Sequence, residues 1–313
     1  MRETPFSSLV GCDLPLQLAG MGGGLSDVSL AAAVCDAGGL GVLGAGGLSI
    51  DAVRSMLDAM AEATDHPFGL NFLMPFIERD QVSLAAQRCR VCDFHFGDPD
   101  PVYVEIAHEG GALACWQVGS AEEAEAAAEA GCDIVVAQGV EAGGHVRGTN
   151  SLDELLEDVI RAVDTPVVAA GGIGTADRVR SLLDAGASAV RVGTRFVAAT
   201  ESTAHPQYID ALIAASAEDT EMTETFSADW PDAPHRVLRS CIEAANAATE
   251  DVVATVGTGG DAWPIPRLSS MPPVKEAQGN IAAMPHYAGT SVQHVQRRQP
   301  AAEIVAELCS QLS

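Results

Sequence analysis

Lysine is all but missing from this chain. Lys275 is the only one, and basic residues total 17 against 43 acidic ones, a net charge of −26. No basic patch is visible, which excludes the electrostatic footprint of a nucleic-acid binder. Anionic membrane surfaces are disfavoured for the same reason. An acidic, lysine-poor composition fits a high-salt cytoplasm, where salt screens the repulsion. A genome rich in G and C also replaces lysine with arginine, and both explanations stay open. No apolar run reaches the roughly 20 residues a membrane-spanning helix needs. The opening MRETPFSSLVGCDLPLQ has no charged segment followed by an apolar one, so no signal peptide is expected and the location reads as cytoplasmic. HExxH and paired-cysteine ligand sets are absent, which argues against a metal. The eight cysteines are scattered, and Cys89-x-x-Cys92 has no second pair, so it reads as two small buried thiols.

What is present is apolar residue, at 47%, and glycine, at 31 positions, many of them where an apolar run ends. That is enough for a large core. Short apolar runs alternate with stretches of helical periodicity. The runs are Pro15–Met21, Leu40–Gly44, Phe68–Leu73, Val91–Gly97, Ala112–Val118, Asp133–Gly139, Pro166–Gly172 and Ala189–Thr194. Between them Asp27, Ser49, Ser120, Ser151 and Thr175 stand at helix starts, and Gly38, Gly131 and Gly186 follow helix ends. Strands this apolar are buried on both faces, as in a parallel sheet. A count of eight favours closure into a (β/α)8 TIM barrel. The open dinucleotide-binding alternative lacks a GxGxxG at its first helix. The barrel is expected over residues 1–200. Residues 201–313 read as a helical lobe over the mouth, with helices at His205–Ala217 and His235–Ala248, plus a barrel-closing helix at Ala301–Leu312.

In a barrel, chemistry sits where strands end. Four places stand out. Ala19-Gly20-Met21-Gly22-Gly23-Gly24 lets backbone approach a flat ring, or is an ordinary tight turn. Asn71, on an apolar strand, either faces a cofactor's polar edge or is a satisfied core amide. Gln138 to Gly148 gathers Gln, Glu, His and Arg among glycines, which suits contact with a small molecule. His145 there has the pKa range of a general base. Finally, Gly171-Gly172 after the seventh strand and Arg191-Val192-Gly193-Thr194 at the eighth suit a phosphate, held by bared amides and the helix start near Thr175. Arg191 or Arg195 would add charge. Trp116 reads as barrel core.

The segments AGMGGGLSDVSLAAAVCDAGGLGVLG, FGLNFL, DIVVAQGVEAGGHVRG, PVVAAGGI and VGTRFVAATES resemble the nitronate monooxygenase (2-nitropropane dioxygenase-like) family in order and spacing, from about residue 14 to 205. The likeness returns weakly at YAGTSV (287–292) and in the final helix. The resemblance implies an FMN barrel, with the flavin held by Ala19, Gly20, Met21, Gly22, Asn71, Gln138, Gly143, Gly144, Gly171, Gly172 and Arg191 to Thr194. It implies His145 as catalytic base, and Met21 and Ser291 facing the substrate. The implied reaction oxidises a nitronate or nitroalkane with O2 to a carbonyl compound and nitrite. The rival is an NAD(P)H-dependent flavin reductase, with quinone ahead of enoyl-acyl-carrier substrates, because an acidic carrier docks poorly on so acidic a protein. A flavin-binding protein without turnover is the third reading, and the His145 loop argues against it. The oligomeric state stays open, with pairing of apolar lid surfaces into a homodimer as one option. Three departures from the family pattern bear on substrate identity. Gly20 stands where a proline is common, Arg191 replaces a glutamine, and the segment between Phe76 and Val91 is short.

Overall fold

A computed structural model describes residues 3–257 and 262–312. Eight parallel strands form one sheet: β1 (Leu16–Leu18), β2 (Gly41–Gly44), β3 (Phe68–Leu73), β4 (Val91–His95), β5 (Leu113–Val118), β6 (Ile134–Gln138), β7 (Val167–Ala170) and β8 (Ala189–Val192). Their order is β1-β8-β7-β6-β5-β4-β3-β2. The ring closes where Leu18 N–H donates to Leu40 O at 2.9 Å and Leu40 N–H to Leu16 O at 2.8 Å. The TIM barrel expected from the strand count is therefore the fold.

The strands are buried on both faces because alternate side chains serve two cores. On β6, Val135 and Ala137 pack outward against helices, while Ile134 and Val136 point into the barrel. The helix α1 (Pro5–Val10) adds Phe6 and Val10 to that inner core. Seven helices follow the first seven strands: α2 (Val28–Asp36), α3 (Ile50–Ala63), α4 (Arg79–Ala86), α5 (Pro101–Gly110), α6 (Ala121–Glu129), α7 (Leu152–Ala162) and α8 (Ala176–Asp184). The side chains of Asp27, Ser49, Ser120, Ser151 and Thr175 each accept an N–H in the first turn of their helix, as the spelling predicts. After β8 comes only the short α9 (Thr194–Val197).

The lobe after residue 200 is mixed rather than helical. It contains α10 (Pro206–Ala214) and α11 (Arg239–Ala247), but also β9 (Thr220–Thr223), β10 (His235–Leu238), β11 (Val252–Val256), β12 (Trp263–Pro266) and β13 (Ala277–Gly279). β9 and β10 form a three-stranded antiparallel sheet with Gly144–His145 of the barrel, and β11 lies between β12 and β13 in another. These strands of three to five residues are too short for a period of two to show against turns, and Pro264 and Pro266 mask β12 further. The expected helix over 235–248 begins with a strand because His235 and Val237 must face inward together. The final helix, α12 (Ala301–Leu308), packs Ala301, Ile304, Val305 and Leu308 into the barrel's outer core against α2 and α8. It fills the eighth helical position, as expected. No described helix is long and apolar enough to cross a membrane.

Candidate active site

At the C-terminal ends of the strands lies a cavity of about 370 Å³, walled on one side by the barrel rim and on the other by the lobe. A nook of about 70 Å³ adjoins it, and the two share Ala19, Gln117, Gln138, Gly143, Arg191, Gly193 and Thr194. The residues singled out from the sequence converge here. Ala19, Gly20, Met21, Gly22, Asn71, Gln138, Gly143, Gly144, His145, Arg191, Gly193 and Thr194 line the main cavity. Gly171, Gly172, Val192 and Ser291 line the nook. Ser291 thus belongs to the nook and not to the main cavity where a substrate was expected. The reason is the bond from Thr290 N–H to Glu141 O at 2.9 Å, which draws that segment over β6 and β7.

The nook is built from backbone. Gly171 and Gly172 have φ of +111° and +67°, so both sit in a region that disfavours side chains. Their N–H groups and that of Ile173 find no acceptor among the described residues. The N-terminus of α8 follows three residues later. Thr194 Oγ1 accepts from Gly289 N–H at 3.0 Å, so its hydroxyl proton is free to donate elsewhere. A Cβ on Gly143 would lie 2.5 Å from Gly289 N, so glycine is needed where the His145 loop crosses the lobe. A Cβ on Gly20 would collide with the Asn71 side chain, which explains glycine there. Small and lined by backbone N–H donors, the nook has the chemistry of a phosphate site, and the adjoining cavity has room for a flat ring.

Both arginines offered for a phosphate contact are tied into the protein itself. Arg191 lines both cavities, but its Nη2 donates to Asp93 Oδ1 at 2.6 Å, Nη1 to Gln117 Oε1 at 2.6 Å and Nε to Gln17 Oε1 at 3.2 Å. Arg195 points away and ties α9 to Gly174 O at 2.6 Å and to Glu307 of α12 at 2.5 Å. Asn71 answers both readings offered for it. Its Nδ2 donates to Asp93 Oδ2 at 2.7 Å, and it also lines the cavity.

In the His145 loop, two polar residues prove architectural. The Glu141 carboxylate accepts from Leu152 N–H at the start of α7, and Arg147 pairs with Glu123 and Asp98. Gln138 Nε2 donates to His145 O at 3.2 Å and braces the loop. His145 itself pairs through its backbone with His235, and its ring stacks on Trp230 with centroids 3.9 Å apart. Its Nε2 is buried without a partner among the described residues. Burial pushes this imidazole down to about 3, His235 adds to the shift and Asp229 opposes it. It is therefore neutral at neutral pH.

Several residues at the cavity escaped the sequence reading. His95 ends β4, lines the cavity, has an Nε2 without a partner among the described residues and is likewise held down to about 3 by burial. Its place at a strand end was the signal that could have found it. Next to it, Phe96 adopts φ +63° and packs edge-on to Trp230 at 4.9 Å. Such backbone is strained for a bulky residue and recurs at active sites. Asp229 and Trp230 come from the lobe, where no local pattern marked them, and Tyr287 opens the lobe's YAGTSV segment. Two other readings hold. Cys89 and Cys92 are buried free thiols with Sγ 3.8 Å apart. Trp116 is fully buried core, its Nε1 donating to Gly97 O. No cluster of potential metal ligands occurs among the described residues.

Comparison with known proteins agrees with this geometry. The family described as nitronate monooxygenase matches residues 3–81 and 76–311. A nitronate monooxygenase of Paraburkholderia phytofirmans is 30% identical, covering 96% of this chain and 92% of its own. The solved nitroalkane oxidase of Streptomyces ansochromogenes is 30% identical with a TM-score of 0.78, covering 99% of this chain and 98% of its own. FabK from Thermotoga maritima, at 27% identity, reaches a TM-score of 0.80 over 99% of this chain and 96% of its own. With a family match across nearly its whole length and a cavity walled by the motifs that match, the chain belongs to the nitronate monooxygenase family of oxidoreductases.

Proposed function

We propose that this enzyme binds FMN and oxidises a nitronate or nitroalkane with O2, yielding a carbonyl compound and nitrite. The residues present fit the cofactor. Unpaired amides at Gly171, Gly172 and Ile173 and the Thr194 hydroxyl would hold its phosphate. The glycine-bared rim at Ala19 to Gly22, with Asn71, Gln138 and Gly143, would flank the ring. FMN, when bound, takes electrons from the substrate and hands them to O2.

The observation that carries the reading is the buried, unpartnered Nε2 of a neutral His145 in the wall of this cavity. A nitronate is already an electron-rich anion and needs no base. A neutral nitroalkane must first lose its α-proton, and Nε2 is the acceptor. Burial makes the resulting imidazolium costly, but the nitronate forming beside it offsets that cost as an ion pair. Trp230 covers one face of the imidazole and keeps water from it.

The test is His145→Asn. FMN binding is expected to persist, with kcat/KM on a neutral nitroalkane falling by about 10²-fold or more and turnover of the preformed nitronate changing far less. Equal turnover of both forms by wild type and variant would reject the assignment. A second reading, reduction of a quinone or enoyl substrate by NAD(P)H, is favoured by the fold match to FabK. Anaerobic mixing separates them: flavin bleached by a nitronate but not by NADH or NADPH supports oxidation, and the reverse supports reduction.

A further inference from the structure

The barrel floor holds a cation that the reaction above does not use. Arg191 is 4% exposed and borders both the main cavity and the nook, so it touches whatever fills them. Hydrogen bonds to Asp93, Gln117, Gln17 and the Cys115 sulfur fix its guanidinium. Asp93 is wholly buried and borders neither cavity; its second oxygen accepts from Asn71. The ion pair is thus oriented, with its positive end toward the cavity and its negative end behind. It lies in a protein interior, where charge interactions are screened far less than in water. The strand-eight position it occupies is the one where the sequence departs from the glutamine of the resembling family.

We infer that Arg191 is a fixed positive charge that sets the redox preference of the bound flavin. Reduced flavin carries a negative charge near neutral pH, and oxidised flavin does not. A cation touching the cofactor therefore binds the reduced form more tightly than the oxidised form, and linkage makes bound FMN a stronger oxidant than free FMN. With the carboxylate behind it cancelling part of the field, one buried charge accounts for a preference of about tenfold or more. This inference rests on the flavin reading above.

The experiment measures two quantities on apoprotein reconstituted with FMN: the dissociation constant of oxidised FMN, and the reduction potential of bound against free FMN. Together they give the affinity ratio of reduced over oxidised cofactor. Arg191→Gln is expected to lower that ratio about tenfold or more while changing the oxidised-form affinity much less. Arg191→Lys should keep most of the preference. Asp93→Asn removes the opposing charge and is expected to raise the ratio. Opposite shifts from the two ends of one ion pair are what a merely structural role does not produce. The inference is overturned if the ratio is unchanged in Arg191→Gln, or if Arg191→Gln and Asp93→Asn move it the same way. Should Arg191→Gln fail to fold, Asp93→Asn decides alone, and an unchanged or lowered ratio overturns it. Wild-type protein that cannot bind FMN ends the flavin reading and this inference together. Wild type that binds FMN, with an unmoved ratio in the variants, ends this inference only.

Discussion

Buried neutral histidines give this protein an acid weakness whose size follows from proton counting. His286 is 4% exposed, stacks on Tyr208 and meets Ile281 O through Nε2, while Nδ1 has no partner among the described residues. Burial pushes it down to about 4, and His95 to about 3, from an ordinary value of 6.5. A folded-state value below the unfolded one means stability that is present above the unfolded pKa and lost as pH falls from about 6.5 toward 3 to 4. Between about pH 8 and about pH 5.5, the unfolded chain takes up nearly one proton per histidine that the fold refuses, a loss of about 1.4 kcal/mol each. The pair together costs about 3 kcal/mol, a large share of a typical stability of about 5–15 kcal/mol. The assay is urea unfolding of wild type and His286→Gln at both pH values. Carboxylate titration is common to both proteins and cancels in the comparison. The variant is expected to be less stable at the higher pH, with the gap narrowing by about 1.4 kcal/mol at the lower one. A gap independent of pH would mean that His286 titrates normally in the fold, and the burial argument would fail.

Other outcomes follow from the same structure. Gly143→Ala drives a Cβ to 2.5 Å from Gly289 N, so FMN affinity measured by titration should fall about tenfold or more. Trp230→Ala uncovers His145, so the acid limb of kcat/KM for a neutral nitroalkane should move to higher pH by about one unit or more. Leu308→Ala empties a fully buried position on the closing helix and should cost about 2–5 kcal/mol in denaturant unfolding.

The barrel was legible in the sequence because each of its elements carries a local signal. Apolar runs mark β1 to β8, and Asp27, Ser49, Ser120, Ser151 and Thr175 mark helix starts by a hydrogen bond made within one turn. The glycines of the rim were legible for a related reason, since strand ends rich in glycine imply close approach of backbone to something else. The lobe was not legible. Its strands are short, and β10 owes its extended form to pairing with β9 across a loop and with His145, which is far away in sequence. Trp230 and Asp229 reach the cavity only through that pairing. Charge was the other gap. Arg191 and Asp93 each look isolated on an apolar strand, and their partnership spans 98 positions and crosses the barrel interior. The Asp93 carboxylate that pairs with Arg191 was not visible from strand eight.

The central claim is that the nook grips a flavin phosphate and the main cavity its ring, with His145 alongside. Its most direct test is to titrate purified apoprotein with FMN and record the visible absorption spectrum of the product. The account predicts a yellow complex with one FMN per chain, lost on Gly143→Ala and kept on His145→Asn. A protein that stays colourless and binds no FMN would contradict it.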